Sequence, residues 1–307
     1  MFSFLKKKKG GNVRVSVRNL VVSRGNKKII CGLSFNVSKG QIYGVVGLSG
    51  SGKSTVLKSL VGLLLKQGYV KLFGCYGYCP QEDAFFEDLT VKENLVLFGS
   101  LSGVQEEKVL KKGVVLLKQL LMFDKLDSVS SSLSGGQKKR LNIILSILHS
   151  PKIIILDEPF AGLDYYNRKV LWSFLRHLKN TGYTILLTTH LLNEAEDNCS
   201  EVLVLKNGKK FAAGSVKQIL KRRGVDVVIS LRTNYVNKDK EEDIKIYCKR
   251  NKVRVLELKK NSIILALSYV NKGLFYSFLS RKKIVFEEVF SRVPELDDVF
   301  LMSVENV

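Results

Sequence analysis

The sequence predicts an α/β fold, a sandwich of strands alternating with helices, followed by a smaller α+β unit. Three observations carry this. Apolar strand-like runs alternate with amphipathic stretches from Val13 to Leu205. A glycine cluster, Gly47 to Gly52, sits between a short β-rich run and a helical pattern. At 307 residues the chain exceeds one ordinary domain, and its texture changes after Gly214, with Lys221-Arg222-Arg223-Gly224 as the expected boundary. The first domain is placed at residues 12–220 and an accessory domain at 221–307.

In Val13 to Leu20, valines alternate with Arg14, Ser16 and Arg18, the period-2 pattern of a half-buried strand; Gly25-Asn26-Lys27 reads as a turn and Ile29 to Val37 as a second strand. Gln41 to Val46 is a short buried strand, and Ser54 to Leu65 has apolar residues at helical spacing. Thr90 to Leu121 reads as mostly helical. Ser134 precedes another helix, which Pro151 stops. Ile153 to Leu156 is wholly apolar, as in a parallel sheet covered on both faces. Arg168 to Leu178 is an expected helix, Tyr183 to Thr188 a strand, Leu191 to Glu196 a helix and Glu201 to Leu205 a strand. Beyond the boundary the expected order is strand Val225 to Leu231, helix Lys240 to Lys249, strands Val253 to Leu258 and Ser262 to Leu267, helix Lys272 to Leu279 and strand Ile284 to Phe290. That is the split-βαβ order. Pro294 to Val304, with Glu295, Asp297 and Asp298 in its first turn, is an expected terminal helix.

Composition excludes several classes. Hydrophobic residues make up 45% and charged residues 25%, with only 4 Pro, which rules out a disordered or collagen-like chain. No run reaches eighteen uncharged apolar residues, the richest, Val114 to Phe123, being broken by Lys118. Met1 to Lys9 places its charges after its apolar residues, unlike a secretory signal. The five cysteines lack a zinc-knuckle spacing and read as reduced, structural thiols. The net charge of +22 points to an anionic partner.

The chemistry lies in ordered motifs. Gly47, Leu48, Ser49, Gly50, Ser51, Gly52, Lys53, Ser54 and Thr55 fit the phosphate-loop pattern GxxxxGK[ST] between a strand and a helix, the context that separates it from a glycine-rich turn with a solvated lysine. Its amides turn toward one anion, Lys53 reaches the β and γ phosphates, and the Ser54 hydroxyl ligates Mg2+. The strand Ile153 to Leu156 delivers Asp157 and Glu158 at its C-terminal end, where open α/β sheets bind ligands. Asp157 is expected to hold Mg2+, directly or through a water, and Glu158 to polarise the water that attacks the γ-phosphate, so the site is expected to hydrolyse nucleotide rather than only hold it.

Leu133-Ser134-Gly135-Gly136-Gln137, just before a helix, resembles the signature of ATP-binding cassette (ABC) ATPases. The resemblance implies a P-loop NTPase with an ABC-type nucleotide-binding domain over residues 12–220. It also implies two nucleotides sandwiched between two such domains, with Ser134, Gly135, Gly136 and Gln137 facing the partner's phosphate. Further motifs resemble the same family in the same order. Gln81 matches the glutamine that senses Mg2+ near the contact with a membrane partner. Asp164, in Ala161-Gly162-Leu163-Asp164, matches the loop crossing between the two domains. His190 matches the histidine that donates to the γ-phosphate. Arg24 stands where the family often has an aromatic to stack on adenine, and Tyr165 replaces a frequent proline after Asp164. A lone histidine at a strand end is more often structural; only the ordered set assigns His190 otherwise.

Pro294-Glu-Leu-Asp-Asp-Val-Phe300-Leu301 looks like the closing motif of ATP-binding subunits of daunorubicin-resistance-type exporters, implying a peripheral ATPase at the inner face of the cell membrane that drives a separate permease subunit. The coupling surface is expected near Gln81 to Phe98, and the ATPase pair is a homodimer or a heterodimer. The alternative is a soluble ABC-type ATPase of translation or nucleic-acid maintenance. Against it, one phosphate loop and one signature are present, and Lys53 and Ser134 lie 81 residues apart, too close for a long heptad insertion. Residues 1–220 carry +16 and residues 221–307 carry +6. No interleaved aromatic-basic motif accompanies the charge, so no specific nucleic-acid readout is expected. Lys6 to Lys9 behind Phe2, Phe4 and Leu5 resemble a patch for acidic lipid, at about 1 kcal/mol per lysine; Lys-rich solvated faces are the plain alternative.

Overall fold

The computed structural model describes residues 12–232, 238–251, 253–259 and 261–304. Lys6 to Lys9 fall outside the described residues. The chain divides into two compact units between Ala213 and Gly214, upstream of the expected boundary at Lys221.

The first unit opens with a long hairpin, β1 (Val13–Arg24) and β2 (Lys27–Ser38), followed by β3 (Ile42–Val46), α1 (Lys53–Leu60), β4 (Gln67–Leu72) and β5 (Tyr76–Cys79). Then come α2 (Val91–Leu101), α3 (Glu106–Gln119), α4 (Gly135–Ile147), β6 (Ile153–Leu156), α5 (Tyr165–Asn180), β7 (Thr184–Thr189), α6 (Leu192–Asn198), β8 (Glu201–Lys206) and β9 (Lys209–Gly214). A three-stranded antiparallel sheet, β2-β1-β4, stands beside a six-stranded sheet in the order β5-β6-β7-β3-β8-β9. In the larger sheet β5, β6, β7, β3 and β8 run parallel.

Several elements differ from the sequence reading for local reasons. The helix expected to reach Leu65 stops at Leu60, where Gly62 takes φ 84. The stretch expected to be mostly helical, Thr90 to Leu121, holds two helices, parted at Ser102 to Gln105, where Gly103 has φ 74. The helix expected from Arg168 begins at Tyr165 because Asp164 caps it. Strands β4 and β5 were not expected: β4 is a mostly exposed edge with no apolar alternation, and β5 has four residues.

Two apolar cores flank the parallel sheet. One gathers the inner residues of β1 and β2 with Val56, Leu57 and Leu60 of α1 against Tyr43, Val45, Ile153 and Ile155. The other packs α2 to α5 against Ile154, Leu156, Ile185 and Leu187. The wholly buried β3, β6 and β7 thus meet apolar side chains on both faces, the environment their sequences require. Their registers pair Val46 with Thr189 and Leu156 with Leu187, which brings the segments after β3, β6 and β7 to one edge.

The second unit comprises α7 (Val216–Arg222), β10 (Val227–Arg232), α8 (Lys238–Arg250), β11 (Arg254–Lys259), β12 (Ser262–Leu267), α9 (Tyr269–Arg281), β13 (Glu288–Arg292) and α10 (Leu296–Val304). Its antiparallel sheet runs β11-β12-β10-β13, with the second strand returning beside the third, the split-βαβ arrangement. Ile229, Leu231, Ile263 and Leu265 meet Ile244, Phe275 and Leu279 of its helices in a third core. The last strand lies later than expected: Ile284 closes α9 by donating to Leu279 O, so pairing begins only at Glu288.

Candidate functional site

The loop from Gly47 to Gly52 leaves the buried end of β3 and turns directly into α1. Gly52 takes φ 103, and a Cβ there would stand 2.7 Å from Ile30 Cδ1, so glycine is required both by conformation and by the β1–β2 hairpin packed beside it. That hairpin carries Arg24 at its exposed tip. Lys53 opens α1 with only 6% exposure. Its Nζ donates to Gly47 O at 3.0 Å and Leu48 O at 3.3 Å, and pairs with Glu158 Oε1 at 3.2 Å. Glu158 Oε2 lies 3.0 Å from His190 Nδ1, giving a chain Lys53–Glu158–His190 along the sheet edge.

Beside it lies a second chain. Ser54 Oγ donates to Asp157 Oδ1 at 2.9 Å, and Thr188 Oγ1 donates to the same oxygen at 2.7 Å. Thr188 Oγ1 also accepts from Glu158 N at 2.8 Å, which fixes Glu158 at φ 48, an uncommon conformation for a residue with a side chain. Asp157 is fully buried, and its Oδ2 has no hydrogen-bond partner among the described residues. A buried carboxylate with one bare oxygen is costly, and a hard cation reached by Ser54 and Asp157 is the ligand that would satisfy it. The residues present therefore fit Mg2+. Gln81 lies two residues beyond Cys79, whose carbonyl accepts from Asp157 N at 2.9 Å, so it follows the end of the neighbouring strand β5 at the same edge.

Ser134, Gly135, Gly136, Gln137 and Asp164 form a separate group. Ser134 caps α4 in a capping box: Gln137 N donates to its Oγ at 3.4 Å and Ser134 N donates to Gln137 Oε1 at 2.9 Å. Gln137 is thereby committed to the cap. Gly135 faces open space, while a Cβ on Gly136 would meet Leu163 and Asn167 at ordinary contact distance. Asp164 caps α5, accepting from Asn167 N at 2.8 Å and Asn167 Nδ2 at 2.6 Å, and these bonds hold its carboxyl below the usual range. No hydrogen bond or ion pair among the described residues joins this group to the Lys53–Glu158 edge.

Two residues of the site were missed in the sequence. Thr188 is one, and the pair Thr188-Thr189 before His190 was its only signal. Gly208 is the other. Its N–H donates to Ser51 O at 3.0 Å, its carbonyl accepts from Cys31 N at 3.0 Å, and a Cβ would overlap Ile29 O, so it clasps the phosphate loop to β2. Asn207-Gly208 reads locally as nothing more than a hairpin turn.

A buried parallel strand, a glycine loop ending in a buried lysine, and paired acids at the next strand end but one define a phosphate-loop nucleoside triphosphatase. A family model described as ABC transporter matches residues 30–161. The chain is 37% identical over 210 residues to an uncharacterised ABC transporter ATP-binding protein of Methanocaldococcus jannaschii, covering 68% of this chain and 80% of that one. It is 36% identical over 233 residues to Nod factor export ATP-binding protein I of Ralstonia nicotianae, covering 71% and 73% respectively. A solved ATP-binding subunit of an ABC transporter superposes with TM-score 0.64 at 28% identity, over 69% of this chain and 93% of that one. The chain belongs to the ATP-binding proteins of the ABC transporter family, and it is a nucleotide-binding ATPase. Among the described residues no helix is long and apolar enough to cross a membrane.

Proposed function

We propose that this chain is the ATP-hydrolysing subunit of an ABC exporter, working as a dimer at the inner membrane face and driving a separate permease. The observation that carries the reading is the pair of side-chain chains on one sheet edge, Ser54–Asp157–Thr188 and Lys53–Glu158–His190. The relatives named for transport and export weigh for this reading over a soluble factor of translation or nucleic-acid maintenance.

Ser54, Asp157 and Gln81 would hold Mg2+, which when bound neutralises charge building on the β and γ phosphate oxygens. Lys53 exchanges the Gly47 and Leu48 carbonyls for those phosphates. Released from Lys53, Glu158 accepts the proton of the attacking water, and His190, turning from its other oxygen, donates its N–H to the γ-phosphate. As a cap, Ser134 Oγ uses a lone pair and keeps its O–H free, so Ser134 with the Gly135 and Gly136 amides can donate to a phosphate presented by a second copy. The separation of this group from the Lys53 edge supports a shared, two-copy site. Arg24, on the hairpin packed beside the phosphate loop, is the residue assigned to stack on the base, its position on that hairpin supporting the reading.

Phosphate release by the full chain with ATP and Mg2+ tests the reading, together with purification from native membranes using the chain as bait. Glu158→Gln is expected to lower turnover by about a hundredfold or more and to trap ATP-dependent dimers. A monomeric Glu158→Gln chain in saturating ATP, or the absence of a multi-span partner in the purified complex, would count against it.

A further inference from the structure

The segment from Gln81 to Leu89 forms no helix or strand, yet several of its backbone groups are taken up by residues on both sides of Ser134. Lys139 Nζ donates to Gln81 O at 2.6 Å. The Asn142 amide donates to Glu82 O at 2.9 Å and accepts from Ala84 N at 3.3 Å. Both side chains project from α4, with 7% and 3% exposure. On the other side of Ser134, Ser131 N donates to Glu87 O and Ser130 N to Leu89 O, each at 2.9 Å. Asn94, fully buried, donates from Nδ2 to Phe86 O at 2.9 Å and Ser130 Oγ at 3.0 Å, and accepts from Phe86 N at 2.9 Å.

An irregular segment normally satisfies its polar groups with water and moves freely. Here the side chains of Lys139, Asn142 and Asn94, all buried, replace part of that water, and breaking their bonds to the loop would leave buried polar atoms unsatisfied. The grip begins at Gln81 itself, one residue after Pro80. We infer that Lys139 and Asn142 are positioning residues that bind the Gln81 loop and the Ser134 tip into one rigid body. A displacement of Gln81 by nucleotide in its own site is then delivered to Ser134, which acts on the nucleotide of the second copy. Lys139 touches neither nucleotide; its effect passes through Gln81. The inference rests on the roles proposed above for Gln81 and Ser134.

A double-mutant cycle on the full chain tests it, with steady-state ATP turnover and urea denaturation measured for each variant. Lys139→Met is expected to lower kcat about tenfold with KM for ATP changed less than about twofold, and Lys139→Arg to retain most of the turnover. Adding Lys139→Met to Gln81→Ala should lower kcat less than about twofold further, because both changes cut one path. Multiplying losses in the double variant, or wild-type turnover in Lys139→Met, overturn the inference while leaving Gln81 its role. Undiminished turnover in Gln81→Ala overturns that role and the inference together. If Lys139→Met does not fold, Asn142→Ser enters the same cycle with the same expected non-additivity.

Discussion

Thr188 shows how one hydroxyl sets the geometry of two acids. It donates to Asp157 Oδ1 and accepts from Glu158 N, so both carboxylates take their direction from β7, not from their own strand. Thr188→Val should leave the Glu158 N–H unpaired, cost about 1–3 kcal/mol in urea denaturation and lower ATP turnover at least about tenfold. Thr188→Ser should restore both, and a Val variant with wild-type turnover would show that the acids orient themselves. The cysteines offer a second check at this scale. Burial pushes the Cys79 and Cys199 thiols up to about 12, whereas Cys75 is exposed. Near pH 8 those two hold almost no thiolate, so iodoacetamide should modify Cys75 first, as read by peptide mass spectrometry. Native-state labelling of Cys79 ahead of Cys75 would contradict the burial described.

Helix α4 has a cap at one end and meets a lysine of α3 at the other, and each end makes a separable prediction. Ser134→Ala should cost about 1 kcal/mol of stability through the lost cap. Ser134→Asp keeps a capping acceptor but sets a carboxylate where the proposal places the partner's phosphate. It should therefore fold as stably as the wild type and lose ATP turnover; retained turnover would reduce Ser134 to a cap alone. At the far end, Lys112 of α3 donates to Ile147 O and Ser150 Oγ, and desolvation pulls its ammonium from 10.5 down to about 8. Between about pH 8 and 10.5 the unfolded chain then binds more protons than the folded one, so this group's contribution to stability rises with pH, and its penalty is complete below pH 8. On raising the pH from about 7.5 to 9.5, urea denaturation should show a smaller gain for Lys112→Met than for the wild type.

For the whole molecule, the +22 charge is unevenly placed. Residues 1–81 contain 14 Lys and Arg and no Asp or Glu, the first acid being Glu82. In the described part, Arg18 lies over the Tyr69 ring at 5.8 Å and Lys71 over Phe73 at 5.0 Å, on the antiparallel sheet. Such a region attracts polyanions over a Debye length whether or not it holds a specific site. The full chain should sediment with vesicles containing phosphatidylglycerol at low salt and be released at about 0.5 M NaCl. Equal binding to neutral phosphatidylcholine vesicles would remove the electrostatic reading.

The phosphate loop, the acids after Ile153 to Leu156 and the cap at Ser134 were legible in the sequence because each is contiguous. A run of backbone amides, a strand end and a helix start are local geometries, written in neighbouring residues. The split-βαβ order of the second unit was legible for a similar reason, since period-2 and helical patterns alternate along it. The edge strands β4 and β5 were not, because an exposed or four-residue strand carries too little apolar pattern. The sequence alone determined that this chain holds the parts of an ABC ATPase in order. Only the tertiary structure decided that Thr188, 31 residues beyond Asp157, aims both acids, that Gly208 locks the loop, and that Lys139 reaches back 58 residues to Gln81. Those contacts join segments far apart in the chain, and no local periodicity records which distant backbone group a buried side chain will meet.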